Sequence, residues 1–435
     1  MQPLTRRAGL AVTALVLSLA VASCGGGSSP TQPSGPAAGT VTAYLGNNQP
    51  GLVGYGVNVR PAVRLVDTLG NPRAGVAVTF AVTGGGGSVT GGTTSTNANG
   101  VAQVGQWTLG GSPGVNAMTA TVSAGVGRVI GSPVVFKDTA LAQGLTIQVQ
   151  YFGPPPNATT QAAMSAAATK WQSIIYRALS NIQLNKAAGA CGANEPAVTA
   201  TTTGMIIQAE FDSIDGPGKI LGQAGPCMVR TPSGLTVLGV MEFDTADVAA
   251  LINQGLLNTV MLHEMGHVIG FGTLWDNPPN ACLQDTSGSS PKVVNDTYFS
   301  CAKARAAFDS IGGLSYTGAS LSPPGGNKVP VENCGASSPT GCGLGTVNSH
   351  WREPVFGNEL MTGYVNSGQN PLSVVTIAAQ EDLGYTVNYG AADSYIKTFT
   401  APAVAGRGVF LGNDVRRGPL YLVDARGAIR AVLRR

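Results

Sequence analysis

Apolar residues alternate with polar ones in short runs across the first third of the chain. Between about residues 39 and 137, runs such as Ala62-Val63-Arg64-Leu65-Val66, Val76-Ala77-Val78-Thr79-Phe80 and Ala117-Met118-Thr119-Ala120-Thr121-Val122 are separated by Gly, Pro, Asn and Asp. A period of two bounded by turn residues predicts half-buried strands, and several at regular spacing predict an all-β sandwich over residues 39–140. The pattern changes after residue 144. Leu145-Thr146-Ile147-Gln148-Val149-Gln150-Tyr151 reads as a strand, and Asn157 can cap a helix running to about Leu179. That helix has Ala163, Ala167, Trp171, Ile174 and Ile175 on one face. Residues 205–211 and 236–243 read as further strands. Leu257, Met261, Met265 and Val268 then form one helical stripe and Val260, His263 and His267 another, with Gly270 and Gly272 ending the helix. The predicted fold class is therefore multi-domain, an all-β sandwich followed by an α+β domain at 145–396. Residues 397–435 form a tail in which 420–423 and 429–433 can make a hairpin about Asp424-Ala425-Arg426-Gly427.

Composition narrows the setting. The 435 residues are 43% hydrophobic and only 11% charged, with 61 Gly and 27 Pro, a profile of β-rich and loop-rich extracytoplasmic proteins. A net charge of +3 without a long Lys/Arg run implies no nucleic-acid partner. Residues 1–23 combine Arg6 and Arg7 with an apolar run over 8–22, a secretory signal too short for a permanent span. Its Val21-Ala22-Ser23-Cys24 ending resembles a bacterial lipobox, so Cys24 is expected to carry lipid and tie the chain to the membrane. The Gly/Ser/Pro-rich residues 24–38 follow as a flexible tether. Six other cysteines in an exported chain read as three disulfides. Proximity favours 191–227, 282–301 and 334–342, and the absence of a C-x-x-C pair argues against a cysteine-ligated metal.

The candidate chemistry lies in His263-Glu264-Met265-Gly266-His267. Histidines at i and i+4 share one helix face and can reach a single zinc ion, with Glu264 beside it as general base. A catalytic zinc takes three protein ligands. The chain has only one other histidine, His350, so a third histidine ligand can be no other residue. The glycine-rich residues 214–226 read either as an ordinary loop or as an exposed edge to which a peptide can add as a strand.

Two resemblances sharpen this reading. The turns at Asp67-Thr68-Leu69-Gly70-Asn71-Pro72 and Asn99-Gly100, with Trp107-Thr108-Leu109-Gly110, resemble bacterial immunoglobulin-like repeats of the invasin and intimin type. That resemblance implies a spacer, or else an adhesive or glycan-binding role. His263 to Gly270 looks like a metzincin H-E-x-x-H-x-x-G helix, but Thr273 stands where the short form places its third ligand. Ser349-His350-Trp351 followed by Glu359-Leu360-Met361-Thr362-Gly363 instead resembles the leishmanolysin family, in which a long insertion precedes the third histidine. That resemblance implies His350 as third ligand, Met361 as the methionine of a turn beneath the metal, and residues 372–385 as a closing helix. Tyr364 is offset from the tyrosine position used as a ligand in some metzincins. Such peptidases are made with a latency cysteine, but the only upstream cysteine here is Cys24. The expectation is a zinc endopeptidase acting on protein or peptide substrates at the bacterial cell envelope. The alternative is a surface adhesion protein whose peptidase-like domain is inactive; an intact Glu264 with all three histidines argues against it.

Overall fold

The computed structural model describes residues 39–277, 279–286, 295–315, 328–333, 345–395 and 408–433. The signal segment 1–23, Cys24, the tether and the 334–342 cysteine pair lie outside the described residues.

Alternation produces the first body. In Val134–Leu141 every second side chain is buried, as a strand with one face on a core requires. This strand sits in a five-stranded sheet in the order Pro50–Leu52, Val134–Leu141, Gly114–Val122, Ala77–Gly84, Thr93–Ser95. A second sheet runs Val129–Ile130, Gly39–Leu45, Ala62–Val66, Val101–Gln103. Their inner faces share one core containing Val41, Leu65, Val78, Phe80, Trp107, Met118 and Phe136. Burying each large apolar side chain there contributes about 1.5–3 kcal/mol.

The second body is built on a six-stranded sheet ordered Ile147–Phe152, Met205–Asp212, Thr236–Asp244, Gly222–Arg230, Leu420–Val423, Ile429–Leu433. The first three strands are mutually parallel, and Gly222–Arg230 runs antiparallel to Thr236–Asp244. Leu420–Val423 pairs parallel with Gly222–Arg230, and its antiparallel partner Ile429–Leu433 completes the sheet. Helix Ala158–Ile174 is the crossover between the first parallel pair. Asn157 caps it by accepting from the Thr160 N–H. The helix ends at Ile174, short of the predicted Leu179, because the next residues leave for extended partners: Ile175 bridges Val387 and the Tyr176 N–H donates to the Thr386 carbonyl.

The histidine helix, Leu257–Ile269, is buried on every side from Met265 to Ile269. The Trp171 indole N–H donates to the Leu262 carbonyl at 2.9 Å and fixes the crossover helix against it. Two elements that sequence periodicity does not mark complete the sheet region. They are Gly222–Arg230, whose glycines leave both an ordinary loop and an exposed edge open, and the short helix Thr245–Gln254, capped by Asp244. Disulfides join Cys191 to Cys227 and Cys282 to Cys301, two of the pairs expected from proximity.

Candidate metal centre

One turn of helix separates His263 from His267, so both imidazoles leave the same face. His350 comes to them from the segment that precedes Glu353–Phe356. The three Nε2 atoms lie 3.0–3.2 Å apart and all three side chains are fully buried. Each Nδ1–H donates to a backbone carbonyl: His263 to Leu360 at 2.7 Å, His267 to Phe271 at 2.9 Å, and His350 to Thr346 at 3.0 Å. These carbonyls fix one tautomer on every ring and aim three Nε2 lone pairs at one point. Converging acceptors repel unless a cation lies between them. Nitrogen ligands held about 2.0–2.1 Å from a tetrahedral ion sit roughly 3.3 Å apart, close to the spacing found here. The donor set therefore fits a metal ion.

A fourth group completes the cluster. Asp414 Oδ2 lies 3.0 Å from His350 Nε2 and 3.2 Å from His263 Nε2. The ligand atoms of His263, His267, His350 and Asp414 all fall within 4.8 Å of one another. Burial alone would raise the Asp414 carboxyl, but the histidines outweigh it and hold the group well below the usual carboxylate range. Burial lowers His263 and His267, against the opposing pull of Asp414. Sequence reasoning missed Asp414. It stands in the tail, 151 residues from His263, where no spacing connects it to the helix.

Glu264 faces the same buried region, and neither of its carboxylate oxygens has a hydrogen-bond partner. Burial, and then the Asp414 charge, push its carboxyl well above the ordinary value. A desolvated carboxylate without partners is costly unless a ligand or cation meets it.

Met361 sits against the helix between the two histidines. A Cβ added at Gly266 would fall 2.9 Å from Met361 Cε and 3.0 Å from Sδ, so the Met361 side chain would have to shift to admit one. The turn bearing Met361 is held from behind by Glu359. That buried carboxylate accepts from the Met361 N–H at 2.6 Å, the Ser373 N–H at 3.0 Å, and the Ser373 and Thr376 hydroxyls at 2.7 and 2.6 Å. Ser373 and Thr376 belong to the start of helix Val374–Asp382, within the stretch expected to form a closing helix. Tyr364 instead pairs in a short ladder with Phe410, outside the ligand cluster. Residues 214–226 divide: the Ile214, Asp215 and Gly216 N–H groups close a turn on Asp244, while the edge at residues 223–225 is covered by the chain's own residues 413–416.

No family model and no curated protein matches the chain. Among solved structures, it is similar to the D0-D1 domain of intimin, with 19% identity over 24% of this chain and 48% of that one and a TM-score of 0.19. It is also similar to the D00-D0 domain of intimin, with 17% identity over 23% and 45% and a TM-score of 0.19. The chain thus spans less than half of either, and at that score the likeness carries no argument. The sandwich itself rests on the two packed sheets described above.

Proposed function

We propose that the protein is a zinc metalloendopeptidase of leishmanolysin-like type, held at the bacterial cell envelope through a lipid on Cys24, with the β-sandwich between anchor and enzyme. The observation that supports this best is the pairing of three convergent Nε2 atoms with a buried glutamate, Glu264, whose two oxygens lack partners. Zinc bound by His263, His267 and His350 would supply Lewis acidity toward a peptide carbonyl and a water molecule. Glu264 would serve as the general base, accepting a proton from water and returning it to the departing amine. The carbonyls of Leu360, Phe271 and Thr346 orient the imidazoles, while the Glu359 network holds Met361 under them.

The test is Glu264→Gln, in the wild-type background and in one lacking the Asp414 carboxylate. Metal content should stay at one equivalent while cleavage of a mixed-peptide pool falls by about 10²–10⁴-fold. Hydrolysis at the parent rate would remove Glu264 from the mechanism. A second reading, a closed structural metal site in an adhesion protein, draws on the fourth ligand, since structural sites are closed and catalytic ones keep a position open.

A further inference from the structure

The chain around Asp414 has no part in that mechanism, yet it runs past the metal centre, held to the backbone on both sides of it. Val409–Phe410 pairs antiparallel with Tyr364–Val365 beyond Met361. The Leu411 N–H donates to the Gly363 carbonyl at 3.2 Å, and the Thr346 hydroxyl donates to the Gly412 carbonyl. The segment then reaches the glycine-rich strand. There the Gln223 amide donates to the Asn413 carbonyl at 3.0 Å, the Ala224 N–H to the Asp414 carbonyl at 2.8 Å, and the Arg416 N–H to the Ala224 carbonyl at 2.9 Å. Leu411 and Val415 are buried on either side of Asp414. Arg416 pins the far end, with its guanidinium on the Cys191 carbonyl and near Glu195 and Glu242.

Main-chain hydrogen bonding along a sheet edge is how an extended peptide is recognised. We propose that residues 408–416 are a built-in cap. They occupy the peptide-binding edge of the cleft and place the Asp414 carboxylate in the fourth ligand position, so that the full chain is latent until this strand is displaced by a competing extended peptide or by cleavage nearby. Being part of the same chain, the cap acts at a high effective concentration that a free peptide must exceed. The inference rests on the metallopeptidase reading for its consequence, but its geometry can be tested without catalysis.

The experiment uses full-length protein loaded with Co2+, wild type and Asp414→Ala. Azide is titrated while the visible d–d absorption is followed, and peptide hydrolysis is measured in parallel. The cap predicts a wild-type spectrum insensitive to azide, a variant that responds at a concentration at least about tenfold lower, and hydrolysis that rises about tenfold or more in the variant. An equal azide response in both proteins overturns the cap. A variant that binds azide and cleaves no peptide keeps the cap and removes the peptidase reading instead. If Asp414→Ala does not fold, Asp414→Asn preserves the side-chain shape and supports the same comparison. Loss of cobalt from a folded Asp414→Asn protein overturns the proposal, because Asp414 would then be a fixed ligand of a closed site.

Discussion

At the scale of single residues, the centre depends on one backbone position with no chemistry of its own. Gly272 has φ +70°, and a Cβ there would come within 2.0 Å of the Ser349 carbonyl oxygen, next to His350. Gly272→Ala must push the Ser349-His350 segment away while leaving His263 and His267 on their helix. Metal affinity, measured by competition with a chromogenic chelator, should fall about 10–100-fold, as for other changes that misplace a ligand. An unchanged affinity would mean that the segment yields without moving His350. The helical pair was legible because i and i+4 share a face whatever surrounds the helix. His350 could be singled out because the chain has so few histidines. Nothing local marks Asp414 or Glu359, since their importance comes entirely from what folds against them.

Among the elements, the long excursion between His267 and His350 poses the largest entropic problem. The Cys282–Cys301 disulfide closes part of it, at a sequence separation of 19. It adjoins the aromatic stack that carries His350's neighbour: Trp275 stacks on Trp351 at 5.1 Å, Phe299 meets Trp275 edge-on at 5.1 Å, and Trp351 stacks on Phe356 at 5.4 Å. Replacing both cysteines by serine should lower unfolding stability by about 2–4 kcal/mol and weaken metal binding, both followed in a single denaturation series with and without metal. Stability that falls while metal affinity stays constant would separate the staple from the site. The strand Gly222–Arg230 shows why element prediction stopped where it did. Its glycines and Pro226 carry no strand signal, and it is a strand because neighbours pair with it on both edges.

Over the whole molecule, the β-sandwich has its own core and its own titrating group. Asp138 is buried at 1% exposure and accepts the Gln49 N–H through Oδ1, while Oδ2 has no partner. Burial raises its carboxyl to about 6. An acid with a raised folded-state pKa holds a proton that the unfolded chain releases near 3.8, so stability should fall as pH rises from about 4 to about 6 and then level off. Asp138→Asn keeps the shape without the charge. It should flatten that slope and stabilise the sandwich by about 1–2 kcal/mol at pH 7, read from the pH dependence of its melting transition. A slope unchanged by the substitution would place the titration elsewhere. Sequence by itself determined what depends on local periodicity: alternating strands, a helix with two histidines and a glutamate on it, and cysteines close enough to pair. Tertiary structure decided which distant segments approach that helix. The Asp414 strand over the glycine-rich edge and the Glu359 support under Met361 are contacts between segments far apart in the chain. Such contacts leave no period in the sequence, because the surrounding fold, and not the neighbouring residues, sets their geometry.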